Sequence, residues 1–362
     1  MKISSVEVRR LAMPLRRPIR TSVHNFSHAQ TVLVQMRTDE GVTGTGWCFA
    51  FEAGKAAALA TLVEDLATIY EGRDPRAVRA CFDAAWKDLN FLGHAGAAMI
   101  ALSALDTACW DLAAQAAGLP LYRFLGGDKT EVQTYASSGL WLDRSIDELI
   151  AEAEGFLAEG HRAMKMRAGR PDYMLDIARV RAVRDALGPD ITLMVDANQA
   201  WPESIAIRAG RELEALDVFW LEEPVFYTDL EGCARVAAAL DMRVATGETS
   251  YGSASMKQHL DARAADVLMP DLQRMGGITE YLNTCTLCAA YSQPVSSHLF
   301  TEASAHVLAA QSHGLMLEHM EWWDALFETP IVVAEGAVVL PSGDGLGLSV
   351  SQAVLQNFAV DR

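Results

Sequence analysis

Basic side chains are scarce in this chain. Thirty Lys and Arg stand against 47 Asp and Glu, a net charge of −17 over 362 residues. The phosphates of nucleic acids and of anionic membranes repel such a surface, so neither is an expected partner. An anionic small molecule is still allowed, because a bound metal and a few local cations override the global field. No run of 18 or more apolar residues occurs, so a membrane-spanning helix is not expected. The first ten residues alternate charged and apolar side chains and do not resemble a signal peptide, which predicts a cytoplasmic location. Cysteine is sparse and scattered, at positions 48, 81, 109, 233, 285 and 288. Cys285 and Cys288 form a lone CxxC without a second pair to complete a zinc site, so reduced structural thiols are expected. No low-complexity tract or basic cluster interrupts the chain.

What the chain does have is a regular series of acids. Asp196, Glu222 and Glu248 each close a short apolar run, and both intervals are 26 residues (222 − 196 and 248 − 222). The runs are Leu193-Met194-Val195-Asp196, Val218-Phe219-Trp220-Leu221-Glu222 and Val244-Ala245-Thr246-Gly247-Glu248. Short apolar runs between polar stretches predict fully buried strands. An interval of about 25–30 residues suits one strand and one returning helix, the repeating unit of a (β/α)8 barrel. Three carboxylates at the C-terminal ends of consecutive barrel strands converge on one point. They tolerate each other only with positive charge between them, and a hard divalent cation with oxygen ligands, Mg2+, is the economical answer.

The whole chain divides accordingly. Residues 1–45 alternate as a strand meander, with turn signals at Thr38-Asp39-Glu40-Gly41 and Gly44. Residues 54–117 read as Ala-rich helices, and 97–117 is apolar on nearly every face, as a helix buried between layers is. Gly118-Leu119-Pro120 ends that helix, and Gly126-Gly127 marks a boundary. Beyond it, eight strands are predicted to end near Ser137, Arg167, Asp196, Glu222, Glu248, Asp271, His298 and Glu318. Eight strand–helix units close a barrel, where six or seven would favour an open sheet. The expected fold class is thus α/β: an N-terminal α+β capping domain (1–127), a (β/α)8-type barrel (128–322), and a C-terminal segment (323–362) whose runs Ile331-Val332-Val333 and Val338-Val339-Leu340 return to the cap.

A barrel's active face lies at the strand ends, and here nearly every one carries a reactive or charged residue. Lys165 and Arg167 are two residues apart, so both point to the same side of their strand. Asp271 and His298 end neighbouring strands, where a carboxylate would orient the imidazole, raise its pKa and favour proton transfer near neutrality. Glu318 could donate a hydrogen bond if its carboxyl were protonated. Asn198 offers an amide beside the metal acids, and Ser137 could bind a substrate carboxylate, although both types are also common helix caps.

Seven stretches resemble one family in order and spacing: Lys165-Met166-Arg167, Val195-Asp196-Ala197-Asn198-Gln199, Leu221-Glu222-Glu223-Pro224, Gly247-Glu248-Thr249, Met269-Pro270-Asp271, Ser296-Ser297-His298-Leu299-Phe300 and Leu317-Glu318. The chain resembles the mandelate racemase group of the enolase superfamily over essentially its whole length. That resemblance implies Mg2+ on Asp196, Glu222 and Glu248, chelated by the carboxylate of a small substrate. It further implies that Lys165, Asn198 and Glu318 stabilise an enediolate and that the Asp271–His298 dyad exchanges the α-proton. Thr21-Ser22-Val23-His24-Asn25-Phe26-Ser27-His28 aligns with the family's covering loop, which makes His24 and Asn25 candidate contacts for a polyhydroxylated substrate. The family also suggests a symmetric homo-oligomer, often an octamer.

One departure carries information. The second residue of the family's Lys-x-Lys pair is a base on the opposite face of the substrate, and here it is Arg167, which keeps its proton. Racemisation needs two bases, whereas β-elimination needs one. The expected activity is therefore dehydration of an aldonate or aldarate to a 2-keto-3-deoxy acid. A racemase, epimerase or lactone cycloisomerase is the alternative, and a non-catalytic metal-stabilised binding protein a remote one.

Overall fold

The computed structural model describes residues 1–20 and 25–360. The chain opens with an antiparallel three-stranded sheet of β1 (Ile3–Arg20), β2 (Asn25–Thr38) and β3 (Thr43–Ala50). Strand alternation gives each face its own partner. Val32, Val34, Met36 and Cys48 pack under the cap helices, while Leu11, Met13, Leu33 and Trp47 belong to the core shared with the barrel. The helices are α1 (Ala53–Tyr70), α2 (Val78–Asp88) and α3 (Ala97–Ala116).

Contrary to the expectation from its broken apolar runs, α3 is long and apolar enough by length and composition to cross a membrane. It lies inside the fold instead, with 83% of that window buried. Its two aspartates are satisfied inside the fold. Asp106 accepts hydrogen bonds from the Thr279 amide (2.8 Å) and hydroxyl (2.7 Å), and Asp111 from the amides of Thr45 (2.8 Å) and Leu346 (2.7 Å). Gly44 proves to be a packing residue within β3 rather than a turn signal. A Cβ on Gly44 or Gly46 would collide with the Ala108 or Ala104 carbonyl of α3.

After the single turn α4 (Leu121–Phe124) the strand–helix repeat begins: β4 (Glu131–Ala136), α5 (Ile146–Ala158), β5 (Ala163–Arg167), α6 (Tyr173–Leu187), β6 (Thr192–Asp196), α7 (Glu203–Glu214), β7 (Val218–Glu222), α8 (Leu230–Ala239), β8 (Arg243–Thr246), α9 (Gly252–Ala262), β9 (Val267–Leu268), α10 (Ile278–Ala290), α11 (Thr301–Ala309) and β10 (Leu317–His319). β4 to β9 pair in parallel and in order, and β10 closes the ring on β4. This is a capped (β/α)8 barrel. The seventh position departs from a regular strand, since among the described residues it pairs through the isolated bridges Leu268↔Val295, Asp271↔His298 and Val295↔Gly314. Pro270 and Pro294 contribute no N–H there, and the hydroxyls of Ser296 and Ser297 accept from the amides of Met316 (3.3 Å) and Glu318 (2.9 Å) in place of carbonyls.

The two C-terminal runs form a hairpin of β11 (Val332–Ala334) and β12 (Ala337–Val339), and β12 pairs with the start of β4. These runs therefore join the barrel rather than the cap. The chain beyond them reaches the cap at the bridge Leu11↔Ala359.

Near the foot of β1, Arg17 bonds Glu321 (2.6 Å) and Glu159 (3.0 Å) across the junction with the barrel. Beside it the rings of His161 and His319 lie 5.0 Å apart. Burial pushes His161 down to about 4 and His319 to about 3, with Arg17 adding to both effects. Both then stay neutral in the folded state at a pH where the unfolded chain takes up protons. Their contribution to stability is complete above the ordinary histidine pKa of about 6.5 and is lost as pH falls below it. Between pH 7 and 5, His161 alone is expected to contribute about 2 kcal/mol to the loss. Urea midpoints of the wild type and His161→Gln at the two pH values check this. A pH difference as large in the variant as in the wild type would refute it.

Candidate active site

The residues predicted at the strand ends converge at the C-terminal mouth of the barrel. Asp196 ends β6, Glu222 ends β7, and Glu248 lies two residues past β8. One carboxylate oxygen from each lies within 4.8 Å of the other two, and all three residues are buried. Lys165 reaches Glu222 (2.5 Å), Glu318 (3.0 Å) and Asp196 (3.5 Å). Arg167 bonds Asp196 (2.9 Å) and donates to the Ser137 hydroxyl (3.2 Å). Asp196, Glu222 and Glu318 thus pair with two cations while Glu248 touches neither, so the carboxylates outnumber the Lys and Arg among them by 4 − 2 = 2, a balance that suits a divalent ion. Oxygen-only donors at this spacing fit a hard cation such as Mg2+. Burial raises Glu222 well above the usual carboxylate range, and the neighbouring acids add to it against the pull of Lys165.

A cation at this point relieves both repulsion and desolvation, so binding is expected to stabilise the fold. Mg2+ at about 100 times its dissociation constant should add about 2.7 kcal/mol, or roughly 4 °C in Tm. A thermal melt with and without Mg2+ reads it directly. The same rise in Glu248→Gln would remove Glu248 from the ligand set.

Glu318 behaves differently from its expectation as a hydrogen-bond donor. Burial opposes its ionisation, but Lys165, His298 and Arg167 outweigh burial and hold it well below the usual carboxylate range. It is therefore an ionised acceptor, receiving the Ser137 hydroxyl (2.6 Å), the Leu299 amide (2.7 Å) and Lys165. Ser137 is correspondingly occupied, donating to Glu318 and accepting from Arg167, and links those two residues. Asn198 sits at φ +43° and donates to Asp196 from both its backbone (2.8 Å) and its side-chain amide (3.1 Å).

His298 and Asp271 form the expected dyad, Nδ1 to carboxylate, at 2.7 Å. The other ring nitrogen, Nε2, lies 3.5 Å from Glu248, so the ring edge away from Asp271 faces the carboxylate triad. Burial lowers the His298 pKa, yet Glu248, Glu318 and Asp271 together raise it to about 9. A cation on Glu248 cancels part of that pull and returns the imidazole toward neutrality. Lys165, by contrast, is held protonated among its carboxylates against the cost of burial.

His24 lies outside the described residues, as do Thr21, Ser22 and Val23. Asn25 begins β2, paired with Arg20. From the same covering segment, Phe26 stacks on Phe51 at 4.3 Å between ring centres.

Three further groups come into the site that the sequence did not single out. Glu223, next to Glu222 in the chain, accepts from Gln199 (2.8 Å) and Thr249 (3.1 Å). Arg274 anchors the Glu248 carbonyl (2.6 Å), and its amide holds the free oxygen of Asp271 (2.8 Å). Trp141 lies over the Arg167 guanidinium, 4.9 Å from the ring centre. A backbone signal marks the same face. Among the described residues ten non-glycine residues have positive φ, and six of them, Leu140, Asn198, Gln199, Glu223, Leu299 and Phe300, lie in the loops just after strands of this mouth.

Comparison with known proteins agrees with this geometry. Residues 3–126 match the mandelate racemase/muconate lactonizing enzyme N-terminal domain, and residues 148–354 match the enolase C-terminal domain-like family. The chain is 34% identical to L-talarate/galactarate dehydratase of Salmonella typhimurium over 322 residues, 89% of this chain and 80% of that protein. It is 32% identical to 3,6-anhydro-alpha-L-galactonate cycloisomerase of Streptomyces coelicolor over 351 residues, 95% and 97% of the two chains. The crystal structure of L-talarate dehydratase from Polaromonas sp. JS666, complexed with Mg and L-glucarate, superposes with a TM-score of 0.94 at 33% identity and covers 99% of this chain and 98% of its own.

Proposed function

The chain belongs to the mandelate racemase/muconate lactonizing enzyme family, and from that premise we propose that it is an Mg2+-dependent dehydratase of acid sugars, converting an aldonate or aldarate to a 2-keto-3-deoxy acid. The observation that carries this reading is the asymmetry of the site. An imidazole oriented by a carboxylate stands at one side, and a guanidinium that cannot release its proton stands at the other.

Asp196, Glu222 and Glu248 are the residues that would hold Mg2+, which when bound supplies Lewis-acid stabilisation of the negative charge that develops on the substrate carboxylate. Lys165 supplies a fixed cation to the same charge, kept protonated by Glu222 and Glu318. Asp271 holds the proton on Nδ1 of His298, which leaves the lone pair on Nε2 free to take the substrate's α-proton. The imidazolium then gives that proton to the departing β-hydroxyl. Water leaves, and the enol that remains tautomerises to the 2-keto acid. Arg167 binds and orients without exchanging a proton.

A screen of aldonates and aldarates with purified protein and Mg2+ in D2O tests this, reading keto acid by its carbonyl and exchange by mass. Keto acid from a small set of stereoisomers is the expected result. Deuterium at C2 without any keto acid would sink dehydration and move the isomerase reading ahead, a reading that the similarity to a cycloisomerase supports.

A further inference from the structure

The loop after β4 wraps around Arg167. Leu140, at φ +52°, offers its carbonyl to the Arg167 amide (3.0 Å), and the next residue, Trp141, lays its ring on the guanidinium. A buried arginine of α6 locks both partners. Arg179 donates to the carbonyl of Trp141 (2.9 Å) and to that of Arg167 (3.0 Å), while Asp176 holds it in place (3.1 Å). Trp141 is only 8% exposed, and its indole N–H, fully buried, has no acceptor among the described residues. Buried donors are rarely left so. Trp220, buried beside Tyr135 and Met194, gives its N–H to Glu222 (3.0 Å). Trp47 and Trp322 also lack acceptors, but both sit within the aromatic cluster around Phe49 and Trp323, away from any cation contact. Among the described residues only Trp141 combines an unpaired donor with a guanidinium of the site.

We propose that Trp141 is a specificity-determining residue whose indole N–H donates to the acid-sugar oxygen bound at Arg167, while its ring holds that guanidinium in place. The pair forms one recognition unit: a fixed charge and a neutral donor side by side, suited to a carboxylate or hydroxyl oxygen and indifferent to a C–H. This rests on the acid-sugar reading of the site. It adds a discriminating contact on the side away from His298.

The test uses full-length protein with Mg2+ and calorimetric binding of a panel of five- and six-carbon aldonates and aldarates, galactarate among them. Trp141→Phe keeps the ring on Arg167 and removes only the N–H. It is expected to weaken the tightest-bound acid about tenfold, with KM rising in step, kcat within about twofold and the Mg2+-induced Tm rise intact. Trp141→Leu removes the stacking too and should lower kcat as well. Unchanged affinity in Trp141→Phe overturns the proposal. So does a fall in kcat or loss of the Mg2+ response at unchanged affinity, which would make Trp141 structural. Acids that bind without being turned over overturn the dehydratase reading alone, because the two variants are still compared by binding. A panel that does not bind at all overturns both.

Discussion

Replacing His298 with Asn is expected to lower turnover by roughly 10,000-fold and to abolish exchange of the substrate's α-proton, while the Mg2+-induced rise in Tm remains. The size follows from the double use of one nitrogen. In the proposed mechanism Nε2 removes the proton from carbon and returns it to the leaving hydroxyl, so both halves of the elimination fail together. No neighbouring group can replace it. Lys165 is kept charged by three carboxylates, Arg167 cannot lose its proton, and Glu318 is itself an anion held by Lys165, His298 and Arg167. Asparagine keeps a donor for Asp271, which limits rearrangement of a carboxylate that is 1% exposed. The pH profile gives an independent readout. His298 must be neutral to accept a proton, so kcat/KM should rise with pH through its pKa. That limb should lie below the value of about 9 set by Glu248, Glu318 and Asp271, because the cation offsets Glu248. Exchange that survives in His298→Asn would transfer the role of base to Lys165.

The features most legible in the sequence were those that depend on local period. Equal 26-residue steps located three of the barrel strands, and the acids closing them do converge in space. The dyad was legible for the same reason, since Asp271 and His298 end neighbouring elements at one level. What the sequence could not supply was the electrostatic sum at each position. Glu318 read as a possible donor because burial alone raises a carboxyl; its ionisation is decided by Lys165 and Arg167, which arrive from another strand. The two partners of Ser137 lie 30 and 181 residues away along the chain, so no local pattern announced them. The seventh strand was expected to be regular, but prolines and serine hydroxyls take its ladder apart. Gly44 looked like a turn only because the approach of α3 is a tertiary event. Local pattern thus placed the chemistry, and long-range contacts assigned the protonation states.

Arg167→Lys is expected to create an activity that the wild type lacks: exchange of the α-proton in the C2 epimer that His298 cannot reach. Arg167 stands at the second strand position and His298 at the seventh, with β4 and β10 between them, so the two groups approach a substrate held at the metal acids from different sides. In the wild type the Arg167 side offers only a guanidinium, fixed by Asp196 (2.9 Å), Ser137 (3.2 Å) and Trp141, and its pKa is raised further by the surrounding carboxylates despite burial. An amine there can lose its proton, particularly beside the permanent charge of Lys165. The same change should reduce dehydration of the native substrate by about 100-fold, because lysine lacks the planar fork that reaches Asp196 and Ser137 from two separate nitrogens and lies flat on the indole. Both effects are read in one experiment, by incubating each C2 epimer of the best acid sugar in D2O and following deuterium at C2. Exchange confined to one epimer in the wild type and extended to both in the variant is the expected pattern. Wild-type exchange of both epimers would contradict a single-base site outright, and a variant that dehydrates and binds Mg2+ but exchanges only the native epimer would show that residue 167 does not face the opposite side of the reacting carbon.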